Sequence, residues 1–239
     1  MNVALLTMCA ALFWQQSRED ARPAPRPTSV PTVPLGEIIP LRDSATQSLL
    51  ESAGFTLVGG TWVRADGSET QSKPTLFHFA NPDCPCSQFM EDHVWMLYKQ
   101  FRDRLRFVAV LPSEDQSSYR DGLLGSQPGF QVVSDPEGHL ARAMGVYATP
   151  TAVLLDGDHQ LVYRGNYNQG RFCVVESSQY ARQAIEAFLA GRRDFQPPPQ
   201  ALSSIGCLLP IFREEETLPK TDDANTASRA SGLASEDSE

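Results

Sequence analysis

The stretch "FHFANPDCPCSQF", residues 77–89, sets Cys84 and Cys86 one residue apart at the end of a short apolar run. The run itself, "PTLFHFA" (74–80), is rich in aromatic and apolar residues and follows Pro74, which predicts a buried strand. From Cys86 onward, apolar residues recur at Phe89, Met90, His93 or Val94, Leu97 and Phe101, a helical spacing. Cys84 therefore lies at a strand-to-helix junction and opens the helix. Unpaired N–H groups and the positive end of the helix dipole stabilise a thiolate there, which lowers its pKa. Pro85 suits the first helical turn, where its missing N–H would have had no partner. Cys84 is thus a candidate nucleophile, against the alternative of an inert buried cysteine. Asp83 next to it would oppose the dipole by like-charge repulsion if close.

Further along the chain, "LRFVAVLP" (105–112) and "FQVVSD" (130–135) predict two more buried strands, and "GHLARAMGV" a short helix after them. "TAVLLDGDHQLVYRGNY" (151–167) reads as two strands around a tight turn at Asp156-Gly157. "SSQYARQAIEAFLAGR" combines a serine cap, an apolar face and a closing Gly191, which mark a helix. Strand, helix, strand, then a hairpin and a helix give an α/β domain with a central mixed β-sheet flanked by helices.

The flanks differ in character. Val3–Trp14 is an apolar run of twelve residues, too short to cross a bilayer as a helix but suited to a signal or membrane-anchor segment over residues 1–17. It lacks a basic leader, and Arg18, Arg22 and Arg26 after it argue for keeping the downstream domain in the cytoplasm. "RPAPRPTSVPTVP" holds five prolines between Pro23 and Pro34 and predicts a stiff, extended linker over 18–40. The domain is expected over 41–212. From Arg213 to Glu239 eight acidic residues face three basic ones, −5 of the chain's −9, which predicts an acidic disordered tail over 213–239. No basic patch interleaved with aromatics occurs, so nucleic acid is not an expected partner.

"LFHFANPDCPCSQF", followed by "VYATPTAVLLD" (146–156), resembles the thioredoxin-like superfamily, in particular bacterial envelope thiol-disulfide oxidoreductases and redoxin relatives. It looks nearest to a branch with an Asp-Cys-Pro-Cys motif. The resemblance covers roughly residues 55–190. It implies a thioredoxin-like fold, a redox thiol at Cys84, and a substrate groove shaped by Pro85, Thr149 and a cis Pro150. His78, six residues before Cys84, falls where thioredoxins bury an acidic residue that moves protons. By resemblance it could do that work with an imidazole, or it is a strand histidine satisfied by a neighbouring carbonyl. His93, His139 and His159 read as packed or solvated side chains.

The motif departs from the superfamily in its spacing. Ser87, not a cysteine, occupies the usual second position, and Cys86 comes one residue early. Cys84 and Cys86 could close a strained ring, Cys84 could work with Cys86 or a distant thiol resolving it, or the pair could bind Cu(I). Zinc is not expected, since no second close Cys/His pair completes four ligands. Cys173 and Cys207 flank the last predicted helix and read as a structural staple, or alternatively as a relay to Cys84. A peroxidase fits poorly: the Pro and Thr or Ser such enzymes need before the reactive cysteine would fall on Phe77 and Asn81, or on Phe79 and Asp83. The expectation is a thiol-disulfide oxidoreductase without cofactor. It would act on protein or small-molecule disulfides with a separate electron donor, tethered at or exported to the periplasmic face of a bacterial envelope. Copper delivery is the alternative.

Overall fold

Buried β-rich runs that tolerate no polar face need cover on both sides, and this chain supplies it. The computed structural model describes residues 5–12, 23–58, 61–67, 73–127, 129–170 and 175–217. After a helical stretch at residues 5–12, its elements are α1 (Ser44–Ser52), β1 (Phe55–Val58), β2 (Thr61–Arg64), β3 (Thr75–Phe79), α2 (Pro85–Phe101) and β4 (Arg106–Leu111). The middle of the chain holds α3 (Ser117–Arg120), β5 (Phe130–Ser134), α4 (His139–Met144), β6 (Ala148–Thr149), β7 (Thr151–Leu155) and β8 (Leu161–Gly165). A single 3₁₀ turn (Glu176–Ser178), α5 (Tyr180–Leu189), α6 (Pro199–Leu202), β9 (Cys207–Leu208) and α7 (Pro210–Thr217) complete it.

The central sheet runs β5-β4-β3-β7-β8, with β3, β4 and β5 parallel and β7 and β8 antiparallel to their neighbours. Alternation along the strands splits the core in two. Leu76, Phe107, Ala109, Ala152, Leu154 and Tyr163 face α2 and α5, where they meet Val94, Leu97, Tyr98, Ala184 and Ile185. Phe77, Phe79, Val108, Val110, Val153 and Leu155 face the other way, onto Phe55 and Trp62 of the β1–β2 hairpin, Leu140 and Met144 of α4, and Phe212 of α7. This is the expected mixed sheet flanked by helices.

Two flank expectations change. The proline-rich segment is no free spacer. Val30, Ile39 and Leu41 are buried in the second core, Ala24 N–H donates to Ser204 O at 2.8 Å, and Gly36 N–H to Leu161 O at 2.8 Å. Prolines hold the chain extended, and an extended strip can lie along a folded surface as readily as it can span a gap. Folded structure therefore begins before Leu41. At the other end, α7 continues to Thr217 with Phe212 fully buried, so order extends past Arg213; residues 218–239 lie outside the described ones. Of the apolar N-terminal run, residues 5–12 are helical and exposed, and no helix among the described residues is long and apolar enough to cross a membrane.

Two smaller differences concern helices. Phe89, expected on the buried face of α2, is 48 % exposed, while Ser87 and His93 lie inside. α5 starts at Tyr180 with Gln179 as its N-cap and no side-chain cap, in place of the expected serine.

Candidate redox-active site

The junction between β3 and α2 is held by its own short-range hydrogen bonds. Asn81 N–H donates to Ser87 Oγ at 3.1 Å, and Asp83 N–H to Asn81 Oδ1 at 3.0 Å. Cys84 N–H donates to Asn81 O at 2.9 Å, and the Cys84 carbonyl accepts from Ser87 N–H at 2.9 Å. Cys84 is the N-cap residue, extended at φ −95° and ψ 117°, with Pro85 at the first helical position. Ser87, where a second cysteine would ordinarily stand, instead ties the helix start back to the strand end. Asp83 is exposed to solvent.

Cys84 is 2 % exposed, and its sulfur is bonded to Cys207, 123 residues later, with the Cα atoms 6.4 Å apart. The structure thus forms neither a Cys84–Cys86 ring nor a Cys173–Cys207 staple. Cys173 lies outside the described residues, and the sulfur expected to meet it is engaged by Cys84. Cys86 is free and partly exposed. The three sulfurs of Cys84, Cys86 and Cys207 lie within 4.8 Å of one another.

A second loop closes over the pair. The Thr149–Pro150 peptide is cis, and Cys84 Sγ stands 3.7 Å from the Thr149 carbonyl oxygen, which a thiol at that place would donate to. β6 pairs antiparallel with β9, setting Thr149 opposite Cys207 and Ala148 opposite Leu208. So close an approach requires Gly206: at φ +146° it adopts a backbone that side chains disfavour, and a Cβ there would run into the Thr149 carbonyl.

The arm that carries Cys207 is fastened from a distance. Asn166, just past β8 and 4 % exposed, donates through Nδ2 to Gln200 O at 3.0 Å and to Ser203 O, while its Oδ1 accepts from Ile205 N–H at 2.9 Å. Beyond Cys207, Leu209 N–H donates to Tyr147 O at 2.9 Å, and Leu209 and Phe212 are buried in the second core. Asn166 and Tyr147 carry no local sequence signal; their roles depend on a segment 34 residues or more away in the chain.

Under the junction, on the α2 side of the sheet, lie three aromatic rings. His78 is fully buried and its Nδ1 is 2.8 Å from the Tyr167 hydroxyl. Tyr167 packs edge-on against both His78 and His93, with centroids 5.4 Å and 6.0 Å away. His78 Nε2 and both ring nitrogens of His93 are buried without a hydrogen-bond partner among the described residues. Burial pushes the His78 pKa down to about 3. Burial, with Arg182 nearby, pushes that of His93 to about 4. Both imidazoles are therefore neutral at pH 7. His78 bonds to Tyr167, which lines a shallow cleft together with Cys86, Met90, Pro150, Asn168 and Ile205.

Chemically, this is a disulfide at the N-terminus of a 17-residue helix, a free thiol close beside it, and a cis-proline cleft next to both. Similarity to known proteins agrees with that picture. The family model described as "Domain of unknown function (DUF6436)" matches residues 61–207, a span that contains both Cys84 and Cys207. The thiol:disulfide interchange protein DsbE of Xylella fastidiosa (strain 9a5c) is 30% identical over 156 residues, 65% of this chain and 67% of that protein; the protein of the same name from strain Temecula1 matches equally. Among solved structures, an uncharacterized conserved protein from Geobacillus kaustophilus is similar with a TM-score of 0.51 and 24% identity, covering 74% of this chain and 92% of that one. A hypothetical protein from Sinorhizobium meliloti 1021 gives 0.50 and 21%, covering 75% and 95%. These two show likeness of fold. The chain belongs to the DUF6436 family and, with its interchange-protein relatives, to the thioredoxin-like superfamily.

Proposed function

We propose that this protein is a thiol-disulfide oxidoreductase whose working couple is Cys84–Cys207, acting on dithiols or disulfides of proteins or small molecules in the cleft beside Pro150. The observation that carries the reading is the disulfide itself, placed at a helix N-terminus and against the Thr149 carbonyl. A helix end favours the thiolate that must leave or attack, and the cleft beside the cis proline offers an extended substrate a place to lie. Similarity to proteins named for thiol:disulfide interchange supports the same chemistry. Thr149 and Pro150 shape the groove, and Pro85 starts the helix.

His78 enters as a neutral hydrogen-bond partner of Tyr167, because burial takes it out of the range where an imidazole carries protons at pH 7. An envelope location and a tether through residues 1–17 belong to the same proposal, supported by the apolar run. A separate redox partner then restores the couple after each turnover, an electron donor where a disulfide has been reduced and an electron acceptor where a dithiol has been oxidised. Copper delivery draws no support from these relatives.

The test is equilibration of the full chain in glutathione buffers, with thiol trapping read by mass, alongside turnover of a peptide disulfide. The expected result is one two-electron couple mapped to Cys84 and Cys207, and turnover that Cys207→Ser abolishes. Turnover at the wild-type level in Cys207→Ser, or none in the wild type, contradicts the reading.

A further inference from the structure

Three sulfurs share one site, and their exposures differ in a way that a simple two-cysteine exchange leaves unexplained. Cys84 is buried beneath the arm, whereas Cys86 is partly exposed and lines the cleft with Pro150, Tyr167 and Ile205. The sulfur nearest an incoming substrate is therefore the one outside the disulfide. All three lie within 4.8 Å of one another, so a side-chain rotation suffices to bring Cys86 onto its neighbour.

We propose that Cys86 is the substrate-facing thiol, and that it trades disulfides internally with the Cys84–Cys207 pair. The proposal rests on the oxidoreductase reading above and adds the route by which oxidation reaches the substrate. In the first step the Cys86 thiolate attacks Cys207 Sγ. The Cys86–Cys207 bond forms, the Cys84–Cys207 bond breaks, and Cys84 leaves with the electron pair as a thiolate; nothing is yet oxidised or reduced overall. Cys84 is the suited leaving group because it sits at the helix N-terminus, and lower-pKa thiols leave faster. Once protonated it can donate to the Thr149 carbonyl. In the second step a thiolate of a substrate dithiol attacks Cys86 Sγ, forming a mixed disulfide and expelling the Cys207 thiolate. The substrate's other thiolate then closes the substrate disulfide and releases Cys86 as thiolate. The substrate has lost two electrons, and Cys84 and Cys207 have gained them as a dithiol. Run backwards, the same steps reduce a substrate disulfide.

Attack at Cys207 also fits the geometry of access. Cys207 is partly exposed on β9, while Cys84 is covered.

The test uses the full chain with Cys9 and Cys173 replaced by serine, and a synthetic peptide carrying two cysteines as probe. Cys86→Ser should keep the Cys84–Cys207 disulfide on peptide mapping yet exchange with the probe more than about tenfold slower. Cys84→Ser, oxidised with diamide, should map as a Cys86–Cys207 disulfide; Cys84→Ala guards against an effect peculiar to serine. Exchange by Cys86→Ser at the parent rate, or absence of the Cys86–Cys207 link in folded Cys84 variants, overturns the relay alone. A parent protein that does not exchange at all overturns the oxidoreductase reading and the relay with it.

Discussion

The two halves of the site are held by opposite means. The junction from Asn81 to Gln88 is tied by hydrogen bonds between residues no more than seven apart, including Gln88 Nε2 to Pro82 O at 2.8 Å. The arm from Pro199 to Phe212 has local turns of its own but is fastened to the domain by remote partners: Asn166, Tyr147, Ala24 and both cores. The junction should therefore persist when the arm is released, and the arm should depend on the disulfide and its anchors. A redox couple spanning the two halves can change the arm's hold without disturbing the helix that presents Cys84.

Cutting the covalent link probes that contrast hardest. Cross-linking residues 123 apart removes loop entropy from the unfolded chain, roughly 5 kcal/mol in the chain-entropy model. Cys207→Ser should lower the unfolding free energy read from urea titration by an amount of that order in oxidising buffer, moving the midpoint down, and leave the midpoint unchanged in reductant. Equal midpoints in both buffers would mean that the link does not fasten the arm.

Acid should strike the junction's half. His78 on β3 and His93 on α2 are buried neutral, with folded pKa values of about 3 and about 4 against 6.5. Below 6.5 the unfolded chain binds protons that the folded one refuses, so stability is fully present above that pH and falls as pH drops towards 4. For His78 alone the loss at about pH 4.5 is roughly 3 kcal/mol. Chemical denaturation at neutral and acid pH measures it, and His78→Gln should flatten the slope. A slope unchanged by that substitution would place the acid sensitivity elsewhere.

Asn166→Ala approaches the same division from the arm's side. It strips hydrogen bonds from Gln200 O, Ser203 O and Ile205 N–H, a loss of about 2 kcal/mol. Peptide mapping after air oxidation should show less Cys84–Cys207 link, with the helical circular-dichroism signal retained. The smallest effect is expected from Ser87→Ala, about 1 kcal/mol, because it leaves one buried N–H at Asn81 without its partner. That variant should loosen Cys84 in hydrogen exchange while the arm's amides stay protected.

The same division explains how far the residues alone can be read. β3, β4, β5 and the β7–β8 hairpin follow from runs of aromatic and β-branched residues, and α2 from its apolar spacing, all of them local signals. The β1–β2 hairpin is missing from the sequence expectations, although "FTLVGGTWVR" (55–64) carries a Gly-Gly pair between two β-prone runs, a recognised turn signal. Cys84 stands out because its neighbours in sequence are its neighbours in space. Its partner cannot be picked by spacing, since Cys207 is delivered by pairing with β6, which no periodicity announces. The proline-rich segment differs from expectation for a related reason: composition sets stiffness, while burial depends on which surface lies alongside.

Peptide mapping of the unreduced, full-length protein reads the pairing itself. A Cys84–Cys207 cross-link with Cys86 recovered as a free thiol is the predicted result; a Cys84–Cys86 or Cys173–Cys207 cross-link in its place would contradict it.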